Sequence, residues 1–178
     1  MKIVLILLFF IFSLMAEFIK IDEQKIVKSH NELRAKHFTS PLKYSKKLEK
    51  SSKKWAKHLG IDEGCRMIHS HNGEGENIFW QSALIHKSKK SIDTKWTITR
   101  NSKKVDASTP VKAWYSEIEF YNYEKNSCKA NEMCGHYTQV VWKSTKEVGC
   151  AAYQCSDKSQ VWVCQYHPAG NIVGRKPF

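Results

Sequence analysis

Several features are missing from this sequence, and each absence narrows its reading. After the first sixteen residues no second long apolar run occurs, so nothing later reads as a bilayer-spanning segment. The six cysteines include no CxxC pair, which argues against a thiolate metal site. There is no GxSxG turn or similar nucleophile motif, so a hydrolase of that design is not expected. Internal repeats and low-complexity tracts are absent, and 178 residues suit one domain with a real hydrophobic core. Acidic residues are few: 17 Asp and Glu stand against 29 Lys and Arg, a formal net charge of +12. Such a surface favours anionic partners, namely glycosaminoglycans, acidic lipid headgroups or acidic proteins.

What is present begins at the N-terminus. Lys2 is followed by an unbroken apolar run, Ile3 to Phe12, and then by Ser13 to Ala16, which ends on a small residue suited to cleavage. This reads as a secretory signal peptide over 1–16, leaving a single domain over 17–178. An even number of cysteines behind such a leader implies disulfides and an oxidising, extracellular compartment. Nucleic acid is therefore not an expected partner.

Periodicity supplies the elements. Asp22 is placed to cap a helix running to about His37, with Ile26, His30, Leu33 and His37 on one stripe. His30 reads as a buried structural residue of that stripe. A second helix is expected from Ser45 to a stop at Gly60, with Leu48, Ser52, Trp55, Ala56 and Leu59 inward. Lys43, Lys46, Lys50, Lys53 and Lys57 lie on its other face, either as a solvated surface or as a basic docking face. A short strand is expected at Asn77–Trp80. Residues 82–109 carry seven Lys or Arg and two Asp and read as a basic surface loop with room for a short helix. Thr109-Pro110 opens a third helix with the stripe Val111, Trp114, Ile118 and Tyr121, and Glu117 at its edge. His136 falls in the first turn of a fourth, where the helix's positive end disfavours the imidazolium. Two alternating runs, 148–155 and 161–166, flank a turn at 156–159 and form a β-hairpin.

Six cysteines allow fifteen pairings, so spacing alone does not choose among them. Cys150 and Cys164 face each other across the proposed hairpin, and Cys128 and Cys134 can close a short loop. Cys155 lies an odd step from Cys150 and points to the other face of the strand, which leaves it for Cys65.

The motifs HNELRAKH at 30–37, GEN at 75–77, WYSE at 114–117, GHYTQVVW at 135–142, VGCAAYQC at 148–155 and VWVCQYHPAGNIVG at 161–174 occur in one order. Together they resemble the signature of the CAP superfamily, the cysteine-rich secretory, antigen 5 and pathogenesis-related proteins, over essentially all of the chain after residue twenty. The resemblance implies an α+β fold: a three-layer α-β-α sandwich with a central, mainly antiparallel sheet and three disulfides, in the same three pairs. It also implies a central cleft lined by His69, Glu76, Glu117 and His136. Two imidazoles and two carboxylates suit zinc or another divalent cation, weakly bound. The His69–Glu76 spacing is wider than in plant relatives, so His71 and Glu74 remain rivals in the same loop.

Function is expected to be secreted, non-catalytic binding, with the hydrolase use of a His/Glu cleft as the alternative. The resemblance implies sterols or fatty acids, or extracellular and host proteins, as ligands. Phe120, Tyr121 and Tyr123 would face a sterol, although Cys128 stands where the family's sterol motif has an aromatic residue. His167 likewise stands where relatives commonly carry proline.

Overall fold

The centre of the molecule is a hairpin buried on both faces. In the computed structural model, which describes residues 17–89 and 96–178, β8 (Glu147–Gln154) pairs antiparallel with β9 (Gln160–His167). The leader expected over 1–16 lies outside the described residues. Alternation divides the hairpin between two cores. Val148, Cys150, Ala152, Trp162, Cys164 and Tyr166 enter one, and Ala151, Tyr153, Cys155, Val161 and Val163 enter the other. β3 (Gly75–Gln81) extends the sheet antiparallel beyond β9. On the far side of β8, β1 (Phe18–Ile19) pairs antiparallel and β2 (Lys43–Tyr44) parallel. The sheet is thus mainly antiparallel, as expected.

One helix covers one face and three cover the other. α2 (Lys46–Ile61) packs on β8 and β9 through Ala56 and Leu59. α1 (Glu23–Ala35), α3 (Ser108–Ser116) and α4 (Gly135–Val140) form the opposite layer, with Ile26, Val111, Trp114, Tyr137 and Val140 in its core. Asp22 caps α1 as expected, accepting from the Lys25 amide at 2.9 Å. Two glycines set how closely α2 lies on the sheet. A Cβ at Gly149 would overlap backbone atoms of Ser45, Leu48 and Glu49, and one at Gly60 would overlap the Tyr153 ring. Gly60 is therefore a point of close approach inside α2 and not the helix stop. The lysine row of α2 is partly neutralised, because Glu49 takes both Lys46 and Lys53.

The disulfides pair Cys65–Cys155, Cys128–Cys134 and Cys150–Cys164. Two further expectations need correction. The third helix ends at Ser116, and Glu117–Phe120 continues as a 3-10 turn, so Ile118 and Tyr121 reach the core from beyond the helix. The segment 82–109 holds no short helix among its described residues before α3. It holds a two-stranded antiparallel sheet, β4 (Leu84–Ser88) and β5 (Thr97–Asn101). The β-branched run Thr97-Ile98-Thr99 favours strand, and the density of lysine around it obscures that pattern.

The opposite layer is tied together by two buried polar residues. Arg34 is fully buried. Its Nε donates to Ser40 O at 2.8 Å, its Nη1 to Val140 O and Trp142 O at 2.9 Å each, and its Nη2 to Thr145 O at 3.2 Å. The carbonyls of Val140, Trp142 and Thr145 lie at the C-terminal end of α4 and just beyond it, where helix carbonyls lack intrahelical partners. Burial pulls the guanidinium pKa down to about 10. His30 is also fully buried, as expected, with Nδ1 on Ile26 O and Nε2 on the Tyr166 hydroxyl, both at 2.9 Å.

Two predictions arise from this layer. Arg34→Met leaves the buried carbonyls of Val140 and Thr145 without the guanidinium donor, each at about 1–3 kcal/mol, while Trp142 O keeps the Thr145 amide at 3.2 Å. Urea unfolding should therefore show a loss of roughly 2–6 kcal/mol in total. His30 gives a pH dependence. Burial lowers its pKa from 6.5 to about 4, so below pH 6.5 the unfolded chain binds a proton that the folded chain refuses. Stability from this residue is complete above pH 6.5 and falls as pH drops toward 4, by on the order of 3 kcal/mol. Unfolding midpoints measured across that range should decline less steeply in His30→Gln, and parallel profiles would rule this origin out.

Candidate functional site

The site is assembled at one end of the sheet, from loops that disulfides fasten. Cys65–Cys155 holds the start of the loop carrying His69. Cys128–Cys134 closes a six-residue step directly before α4, whose first turn carries His136. Between them lies β3, which enters the sheet at Gly75 with Glu76 opposite Gln165 and Asn77 opposite Cys164.

Each histidine is paired with one carboxylate. His69 Nδ1 lies 2.8 Å from Glu76 Oε1, which also accepts from the Ser70 amide at 3.0 Å. Gln165 Nε2 donates to Glu76 Oε2 at 3.1 Å. His136 Nδ1 lies 2.6 Å from Glu117 Oε1, while Glu117 Oε2 accepts from the His136 amide at 3.0 Å and the Tyr137 amide at 3.3 Å. Glu117 therefore caps α4 and orients its histidine at once. Asn77 Nδ2 donates to His136 O at 3.1 Å, and the indole of Trp114 stacks on the His136 ring, 6.5 Å between centroids. A third pair joins His167 Nδ1 to Glu74 Oε2 at 2.8 Å, so Glu74 is committed away from His69.

Electrostatics follows the pairing. The hydrogen bond that His69 donates to the Glu76 carboxylate raises the His69 pKa above its ordinary value. Burial alone would raise the Glu76 carboxyl, but bonds from His69, Ser70 and Gln165 outweigh it and hold that pKa below normal.

His69, Glu76 and His136 line one cavity of about 340 Å³, together with Asn77, Glu132 and Asn171. Glu117 lies behind His136 and is not on that wall. The four expected residues are thus two pairs with the imidazoles toward shared space. Among the described residues, no three His, Cys, Asp or Glu side chains are grouped so as to hold a metal ion directly. His71 stands near His69, 6.5 Å between rings, without a carboxylate bond among the described residues. Sequence reasoning missed Gln165, Asn77 and Trp114 as supports, although GEN and WYSE contain two of them. The alternation of β9 was the available signal for Gln165.

A second groove, about 380 Å³, lies beside the Cys128–Cys134 loop, between Tyr121, Trp142, Thr138 and the tail residues Ile172 and Val173. Of the three aromatics expected to face a sterol, Tyr121 lines it. Phe120 and Tyr123 do not, and Tyr123 stacks on Phe178 with its hydroxyl on the Phe178 carbonyl at 2.7 Å.

The comparisons agree with this architecture. The model of the cysteine-rich secretory protein family, CAP, matches residues 27–166. The pathogenesis-related protein PRMS of Zea mays is 40% identical over 156 residues, covering 87% of this chain and 81% of that protein. Among solved structures, Schistosoma mansoni venom allergen-like protein 4 superposes with a TM-score of 0.60 at 23% identity, over 88% of this chain and 92% of its own. NaASP2, crystallised with Zn2+, superposes with a TM-score of 0.62 at 26% identity, over 88% of this chain and 84% of its own. With a family model matched from the first helix into the last strand, this chain belongs to the cysteine-rich secretory protein (CAP) family.

Proposed function

We propose that this is a secreted, non-catalytic binding protein whose cleft takes a divalent cation, zinc first, on His69 and His136. The observation that carries the reading is the pairing itself. Each Nδ1 is committed to a carboxylate, which leaves Nε2 as the free donor on each ring, and both rings border one cavity. Histidines that ligate metals are characteristically oriented in this way. The donor set fits zinc as two imidazoles with carboxylates behind them, and the remaining positions would belong to water or a ligand. Bound there, the ion would hold an exchangeable position open to an incoming donor. The Zn2+ in the NaASP2 crystal supports the choice of metal.

The neighbouring hydroxyls favour binding over hydrolysis. Thr138 Oγ1 donates to Asn171 Oδ1 at 2.6 Å, with the Cys134 and Gly135 carbonyls as alternative acceptors for the same hydrogen, and Ser70 Oγ accepts from Gln165. Neither is bonded to a site imidazole among the described residues. Small lipids, sterol or fatty acid, fit the apolar groove at Tyr121, Trp142 and Ile172, and extracellular or host proteins are the other ligand class. The leader at 1–16 delivers the chain to the extracellular space, where its three disulfides persist.

Titration calorimetry of chelator-stripped protein with zinc chloride tests the cleft. Uptake of one ion is expected, lost in His69→Ala with His136→Ala. Glu117→Gln should weaken it by about 10–100-fold, the usual cost of removing a carboxylate behind a ligating histidine. Uptake unchanged in the double variant would sink the cleft as the metal site. Turnover of ester or peptide substrates that disappears in Thr138→Val or Ser70→Ala would establish the hydrolase instead.

A further inference from the structure

The β4–β5 hairpin has no part in the cleft, yet its composition is ordered. All ten residues of its two strands are exposed. Residues directly opposite one another in an antiparallel pair share a face. The register sets Ile85 opposite Arg100 and Lys87 opposite Ile98 on one side, with His86 opposite Thr99 and Ser88 opposite Thr97 on the other. Trp96 stands directly before β5, two residues from Ile98, at the spacing that alternation assigns to the first side. One face therefore carries Ile85, Ile98, Trp96, Lys87 and Arg100, and the other carries His86, Ser88, Thr97, Thr99 and Asn101 with Leu84 as its one large aliphatic residue. Ile85, Ile98 and Trp96 are 58%, 53% and 62% exposed. No acidic residue lies in 84–89 or 96–101, and Lys89, Lys103 and Lys104 add to the positive charge.

We propose that this face docks on the surface of an anionic lipid bilayer. The argument is the combination of charge and apolarity on one side. A polyanionic saccharide would engage Lys87 and Arg100 and leave the two isoleucines and Trp96 in water. A bilayer interface engages both sets: basic side chains meet the acidic headgroups, and an indole with aliphatic neighbours enters the headgroup boundary. The hairpin projects this face without disturbing either core, because none of these side chains belongs to them. Docking is peripheral, as no helix among the described residues is long and apolar enough to cross a membrane. The surface stands independently of the histidine cleft, so either reading can fail without the other.

Co-sedimentation with vesicles of phosphatidylcholine, and of phosphatidylcholine with phosphatidylglycerol, tests it on the full chain lacking residues 1–16. Binding is expected to the second and not the first. Lys87→Gln with Arg100→Gln should lower partitioning about thirtyfold, the loss expected for two basic side chains at an anionic surface. Trp96→Ala with Ile98→Ser should lower it comparably, and should remove the part that survives raised salt. Lys50→Gln with Lys57→Gln makes the same charge change on α2 and should lower it far less. Circular dichroism should show all variants folded, since the altered residues are exposed. Absence of vesicle binding overturns the proposal. So does retention on heparin that falls in the lysine and arginine variant but not in Trp96→Ala with Ile98→Ser, when vesicle binding is unaffected by either. An equal loss in the α2 variant would also overturn it, by reducing the effect to net charge.

Discussion

A buried guanidinium holds the helical layer in place. Arg34 sits in the motif HNELRAKH, on a face that reads as half polar, and its head reaches the carbonyls that follow α4. Among the described residues no carboxylate pairs with it; the dipoles of four carbonyl groups compensate its charge. That arrangement joins residues more than a hundred positions apart, and it does so where a short helix ends with its acceptors unsatisfied. α4 has only six residues, too few to be stable by itself. Its position, and with it that of His136, depends on the arginine at one end and on Glu117 at the other.

The second organising feature is the dipeptide Glu76-Asn77. Adjacent strand residues point to opposite faces of a sheet. Here one of them orients His69 and the other holds the backbone of His136. The two histidines come from segments more than sixty residues apart, but both take their placement from one step of β3. Asn77 also donates to the Tyr166 hydroxyl, which in turn donates to His30 Nε2. The cleft is thereby connected to the buried polar centre of the helical layer.

Much of this was readable from the chain. The hairpin at 148–166 shows its two-faced alternation directly, and that alternation separates Cys150 from Cys155. Asp22, His30 and the three cysteine pairs stand where they were expected. Other features were hidden for physical reasons. Arg34 looks like any surface arginine, because nothing local reveals acceptors that lie beyond α4. Glu117 was expected on a helix edge, yet it belongs to a tighter turn that aims it at the amides of α4. The strands β4 and β5 were obscured because net charge dominates their segment and short strands carry little signal. Gln165 could be placed on a face by periodicity, but its bond to Glu76 depends on the β3–β9 register, which spacing does not fix.

The flanks of β8 have one more consequence. A long sheet edge with bare amides and carbonyls invites another chain to add itself as a further strand. β8 offers little of such an edge, since β1 covers one end of it and β2 the other, running in opposite senses, while Ser52 and Tyr44 side chains meet Gly149 and Cys150 between them. At the opposite border the indole of Trp114 takes the carbonyl of Ile78. Two-residue strands that look like incidental pairing therefore act as end-stops. They shorten the run of β8 to which a further strand could add.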